Sequence, residues 1–159
     1  MTVKELAIMM DDLDARYSFV LDNLDAVRRM LKDSGTANFD AHCNALYATQ
    51  MMLESIQYIN TLPIKGVKLS MLHILKGTDL AQIYEEHPFF TFDLESYTDL
   101  ILLCIKNLRK DIVIHRLTGD GPKELLIAPR FSLNKRLVLN TIHQKCKLFH
   151  IYQGMEYEP

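Results

Sequence analysis

The chain has 159 residues and a mass of 18.4 kDa, the size of one domain or of one domain with a small extension. Hydrophobic residues make up 48% and charged residues 24%, so a core can be buried and wholesale disorder is excluded. Eighteen basic against twenty acidic residues give a net charge of -2, which supplies no strong overall field toward nucleic acid or an anionic membrane but leaves room for a local patch.

The first 33 residues contain no glycine or proline. Leu6, Met10, Leu13, Tyr17, Val20, Leu24, Val27 and Leu31 form an a/d stripe held for more than three heptads. Aspartates gather toward the start, and Arg28, Arg29 and Lys32 sit in the last turns before Gly35, an order that suits the helix dipole. This helix either packs on its own domain or pairs with a partner chain. A second helix is expected over residues 38–60, ended by Asn60-Thr61-Leu62-Pro63. The two make an α-helical hairpin, and residues 1–48 are read as a helical N-terminal segment ahead of a domain at 49–159.

The pattern then changes. GVKLSMLHIL, residues 66–75, predicts a strand, and LAQIYEEH a short helix. Asp93 is a good N-cap for a helix whose stripe is Leu94, Tyr97, Ile101, Cys104, Ile105 and Leu108. DIVIHRL, residues 111–117, predicts a second strand, followed by the turn Thr118-Gly119-Asp120-Gly121-Pro122. ELLIAP at 124–129 reads as a short strand or an extended segment. Ser132 is expected to cap a last helix running to about Phe149.

Strand, helix, strand with apolar strands is a βαβ unit, which predicts an α/β fold with two parallel strands and covering helices. In such sheets the ligand site lies beyond the carboxyl ends of the strands. Those ends are His73-Ile74-Leu75-Lys76-Gly77-Thr78 and His115-Arg116-Leu117-Thr118-Gly119-Asp120, both of the form H-x-L-x-G-[T/D]. Two such loops at neighbouring strand ends would form one floor.

Cys43, Cys104 and Cys146 are odd in number and in no CxxC pairing, so neither a disulfide framework nor a cysteine metal site within one chain is expected. Cys104 reads as core. No apolar run is long enough for a bilayer span, and MTVKELAIMMDD has no basic n-region. A cytoplasmic location and no membrane contact are expected.

Three long stretches carry a family resemblance: MMLESIQYINTLPIKGVKLSMLHILKGTDL, IVIHRLTGDGPKELLIAP and SLNKRLVLNTI. From about residue 49 to residue 153 the chain resembles the C-terminal part of bacterial radical SAM proteins of the elongator-like YhcC type. The resemblance implies a partial, TIM-like barrel of six parallel strands, with residues 66–75 as the fifth and 112–117 as the sixth. It implies S-adenosylmethionine and a four-iron four-sulfur cluster in the parent family, the cluster held by CxxxCxxC. This sequence has no CxxxCxxC and no GLPGE-type segment, and residues 1–48 are unmatched and too few to build four strands. Three closely spaced thiolates are needed to hold such a cluster, so none is expected in this chain alone. The expectation is half a barrel with a helical front end, forming a pocket wall but not catalytic by itself, its catalytic residues unknown and no metal ligands assigned. The alternative is a non-catalytic oligomerisation or protein-interaction module. A barrel cut between strands four and five exposes an edge, which predicts a homo-oligomer or pairing with the missing barrel half.

His73, Lys76, Gly77, Thr78, Arg116, Thr118, Gly119 and Asp120 are the candidate cofactor or substrate contacts. His73 either touches the ligand or bonds a neighbouring backbone. Lys76 is an anion-binding point charge or a solvated loop residue. Arg116 grips an anion in a bidentate fashion or pairs with Asp120. Tyr84, Phe89, Phe90 and Phe92 offer a stacking platform or simple loop packing. Lys135, Arg136, Lys145 and Lys147 give the last helix a basic side; the link of elongator-like enzymes with RNA modification makes RNA a candidate partner, against a solvated face. A small hydrolase or transferase using His73 and Asp120 as an acid/base pair is a third reading.

Overall fold

A computed structural model describes residues 39–159. The heptad helix, and with it the helical hairpin and most of segment 1–48, lies outside the described residues. The chain divides into two units, Met1–Met51 and Met52–Pro159, with the boundary inside helix α1 (Phe39–Thr61).

In the second unit, α1 stops where Pro63 requires it to. The Asn60 side chain ties off this end by donating to the Asn107 carbonyl at 2.8 Å and accepting the Arg109 N–H at 3.0 Å. Strand β1 (Gly66–Lys68) follows and pairs parallel with β3 (Val113–Arg116), in the register Gly66 to Val113, Val67 to Ile114 and Lys68 to Arg116. The parallel pair is the one the βαβ pattern predicts.

The predicted strand at 66–75 is not continuous. The parallel ladder ends with the Leu69 N–H on the Arg116 carbonyl, because β3 itself stops there and offers residues 70–73 nothing to pair with. Leu69 stays buried, Leu72 is exposed, and the chain re-enters a ladder only at β2 (Ile74–Leu75). That strand pairs antiparallel with β4 (Leu126–Ala128), the strand within ELLIAP. The described residues therefore hold two separate two-stranded sheets in a mixed α/β arrangement, and these strands alone do not define a barrel.

Helix α2 (Asp79–Glu86) begins at Thr78, and α3 (Leu94–Asn107) begins at Asp93 with a reciprocal cap: the Ser96 N–H donates to Asp93 Oδ1 at 2.8 Å, and the Asp93 N–H donates to Ser96 Oγ at 3.2 Å. Every residue from Tyr97 to Lys106 is buried. The helix is thus covered all round, not along one stripe, as expected for the centre of a core; each fully buried leucine or isoleucine stabilises the fold by about 1.5–3 kcal/mol.

The last helix, α4 (Lys135–Leu148), is capped by Asn134, whose Oδ1 accepts from the Leu137 N–H at 3.0 Å. Ser132 does not cap it. A 3-10 turn (Arg130–Leu133) intervenes, and the Ser132 hydroxyl donates to the Pro129 carbonyl at 2.8 Å. Val138 and Ile142 bury the inner face of α4. Lys145 Nζ joins it to α3 through Asp99 and Glu95, each at 2.7 Å. The C-terminal tail returns to α3, with the Gly154 N–H on the Ile105 carbonyl and the Glu156 N–H on the Lys106 carbonyl. Among the described residues no helix is long and apolar enough to cross a membrane.

Candidate functional site

The parallel pair fixes where chemistry can gather. β3 ends at Arg116, and the loop Leu117-Thr118-Gly119-Asp120 leaves its carboxyl edge. The Tyr97 hydroxyl donates to the Leu117 carbonyl at 3.0 Å, which ties this loop to α3; burial raises the Tyr97 phenol above its ordinary range. Thr118 is buried.

His73 arrives from the irregular segment between β1 and β2 and brings the Cε1 edge of its ring against this loop. A Cβ added to Gly119 would collide with His73 Cε1, and one on Gly121 would sit 3.5 Å from Cγ and Nδ1 of the same ring. The other ring nitrogen, Nε2, is 3.1 Å from Ser132 Oγ. Burial, with the nearby Lys135 cation second, lowers the imidazole pKa below its usual 6.5, so the ring is neutral at physiological pH. Asp120 pairs with Lys135 and lies 3.5 Å from Arg116 Nη1. Both Arg116 and Asp120 are about half exposed, so this pair is solvent-screened.

The structure therefore brings together His73, Arg116, Thr118, Gly119 and Asp120. It adds Ser132 and Lys135, which sequence reasoning did not place here; Lys135 was visible only as part of a basic helix, and nothing local to Ser132 points to a histidine.

Lys76, Gly77 and Thr78 do not join the same floor, because the chain changes sheet at Ile74. The Lys76 N–H bonds the Leu125 carbonyl at 2.7 Å and its side chain is exposed. Gly77 has a φ of +78° with open space around it, and serves the turn. The Thr78 hydroxyl is spent on α2, accepting from the Ala81 N–H at 3.2 Å and donating to the Leu75 carbonyl at 2.8 Å. His115 is exposed and stands over Gly66. The aromatic loop is packing: Tyr84 meets Phe89 and Phe90 meets Phe92 edge to face, with centroids 5.1 and 4.9 Å apart.

No group of three or more His, Cys, Asp or Glu among the described residues could hold a metal ion. Cys104 is buried, and burial pushes its thiol up to about 12. Cys146 is half-buried and raised for the same reason. Thiols held protonated in this way are poor iron ligands, and the side chain of Cys43 lies outside the described residues. The described residues do not fit an iron-sulfur cluster.

A family model, the Radical_SAM C-terminal domain, matches residues 64–147. The chain belongs to this family. Within it, the chain is 35% identical over 104 residues to the uncharacterized protein YtqA of Bacillus subtilis, covering 65% of this chain and 32% of that protein. It is 26% identical over 107 residues to the uncharacterized protein MJ0486 of Methanocaldococcus jannaschii, covering 67% and 33%. It is 26% identical over 83 residues to protein YhcC of Escherichia coli K12, covering 52% and 27%. The chain thus spans about a third of the length of these relatives. The resemblance read from the three long stretches holds, and the family match begins after the N-terminal segment. No solved structure matches.

Proposed function

We propose that this chain is the C-terminal portion of a radical SAM protein, and that the carboxyl edge of the β1–β3 pair supplies one wall of a cofactor or substrate pocket. The observation that carries this reading is the parallel pair, with Arg116 and Asp120 half exposed at its carboxyl edge and His73 packed beneath the connecting loop. Asp120 stands between two cations, Lys135 and Arg116, and a carboxylate beside a guanidinium complements a zwitterion; S-adenosylmethionine has such an end in its α-ammonium and α-carboxylate. Arg116 would take the carboxylate through a charge-assisted fork, and Asp120 the ammonium. When bound with a cluster held elsewhere, the cofactor would supply a 5′-deoxyadenosyl radical; this chain's own residues hold and orient.

The test is titration of the 159-residue chain with S-adenosylmethionine, followed by calorimetry and by amide shifts. Shifts centred on Thr118–Asp120, and binding weakened about tenfold by Arg116→Gln, support the wall. Absence of binding, or shifts that avoid this loop, overturns it. Iron-sulfide reconstitution that loads a cluster onto the chain alone would overturn the view that it is not catalytic by itself.

One observation favours an interaction module as the second reading. Among the described residues each strand of the parallel pair has one unpaired edge, and Val113 is 57% exposed. Such edges recruit another strand, from a second copy or from the missing barrel half. Sedimentation showing a monomer across micromolar concentrations would remove the homo-oligomer.

A further inference from the structure

We propose that the open depression at the beginning of α4 binds oligophosphate, presented either as a small polyphosphate ligand or as the backbone of a polynucleotide. The depression has a volume of about 580 Å³ and is lined by Lys123, Arg130, Phe131, Lys135, Arg136 and Leu137, with Leu133 and Asn134 between them. Four cations therefore converge with no carboxylate in the lining, in a chain where acidic residues outnumber basic ones.

Folding does not account for this convergence. The cations come from three places: the turn before β4, the 3-10 turn, and the first turn of α4. Lysine and arginine in a first helical turn oppose the macrodipole, whose preference is for acidic groups there, and α4 has none. Several cations elsewhere are paired, Lys145 with Glu95 and Asp99, Arg109 and Lys65 with Asp111, and Lys106 with Glu156. Here only Lys135 has a carboxylate, Asp120. Lys123, Arg130 and Arg136 are exposed and make no ion pair with a described residue.

Mutual repulsion of these groups is relieved by an anion, and two guanidinium forks match phosphoryl oxygens in a bidentate way. The depression is wider than one phosphate and open to solvent, which suits a ligand with consecutive phosphoryl groups. The site meets the S-adenosylmethionine wall at Lys135, which pairs with Asp120, but Arg130 and Arg136 belong to this site alone, so variants of those two test it separately from the wall.

The experiment is calorimetric titration of the 159-residue chain with inorganic phosphate, with tripolyphosphate and with a short mixed-sequence RNA strand, each at low and at physiological salt. Tripolyphosphate should bind at least about tenfold tighter than phosphate. The double variant Arg130→Gln/Arg136→Gln should weaken it by about tenfold or more, with the thermal unfolding midpoint unchanged. Lys147→Gln, at the other end of the same helix, should leave it as it was. An RNA strand that binds tighter than tripolyphosphate, with a steeper salt dependence and the same loss in the double variant, identifies the backbone as the source. Equal affinity for the two identifies a small polyphosphate. Absence of binding by either at low salt overturns the proposal, as does a Lys147→Gln loss matching that of the double variant.

Discussion

His73 Nε2 lies 3.1 Å from Ser132 Oγ, and the proton of that hydroxyl is already directed at the Pro129 carbonyl, 2.8 Å away. A hydroxyl has one proton to give, so while Ser132 donates to the Pro129 carbonyl its oxygen accepts from His73. With the hydroxyl proton on that carbonyl the neutral ring is the Nε2–H tautomer, with Nδ1 left as an acceptor.

The first prediction concerns protonation of this ring. Its folded-state pKa is lowered, by burial first and by Lys135 second. The unfolded chain therefore takes up the proton at a higher pH than the folded chain does. The stabilisation from a neutral His73 is present above the unfolded value and is lost as pH falls through the folded one. Imidazole nitrogen shifts should report the Nε2–H form at neutral pH and a titration midpoint below 6.5. Unfolding measured from neutral pH down to mildly acid conditions should show a pH slope that His73→Leu diminishes. A midpoint at or above the ordinary histidine value would contradict the assignment.

Gly119 and Gly77 matter for different reasons, and the difference can be measured. Gly119 has an ordinary backbone, but a methyl there would meet His73, whose ring is held in place by Ser132. Gly119→Ala should cost about 1–3 kcal/mol through overpacking. Much of that cost should disappear in a His73→Ala background, a coupling that a double-mutant cycle reads directly. Gly77 has open space around it and a φ of +78°. Gly77→Ala should cost about 1–2 kcal/mol from the left-handed backbone alone, with no coupling to His73. Additive behaviour of Gly119→Ala and His73→Ala in denaturant melts would show that ring and loop are not in contact.

Elements whose signals are local were legible in the sequence. α1 was bounded by Pro63, the start of α3 by the Asp93 cap, and β3 by its apolar run before the Thr118-Gly119-Asp120 turn. The parallel pairing followed from strand, helix, strand order. What depended on distant partners was not legible. The break at Lys68 arises because β3 is short and because Ile74 finds Ala128. Ser132 and His73 are 59 residues apart. Lys145 looked like part of a solvated basic face until Asp99 and Glu95 on α3 turned it inward. Of the two similar loops, the one after β3 packs against His73, and the one at Lys76–Thr78 is given to a turn and a helix cap.

Arg109 is the hub between α1 and the approach to β3. Its Nη1 donates to the Asn60 carbonyl at 2.6 Å, its Nη2 to the Ile64 carbonyl at 3.1 Å, and its Nε to Asp111 Oδ1 at 2.7 Å. Three directions from one planar group are beyond the reach of an ammonium. Arg109→Lys should therefore destabilise the fold by about 2 kcal/mol, since the two carbonyls lose charged donors. Asp111 is exposed, and Asp111→Asn should cost much less. Chemical denaturation of the two variants checks the ranking, and equal losses would refute the hub.

The ammonium of Lys106 is wholly buried and meets Glu156, whose carboxylate also accepts from Asn107 Nδ2 at 3.2 Å. The lysine sits in the most buried stretch of α3, and its counter-charge comes from the tail that returns over Ile105 and Lys106. The two halves of this pair are not equivalent. Removing the carboxylate takes this counter-charge from a buried cation, whereas removing the cation leaves a carboxylate that already reaches water. Glu156→Gln should thus cost on the order of 2–3 kcal/mol, discounted from a fully buried pair because Glu156 is partly exposed. Lys106→Met, of similar volume and without the charge, should cost less or stabilise. Thermal melts of the two variants decide the point: a larger loss for Lys106→Met would mean that the attraction of the pair outweighs the cost of burying the charge.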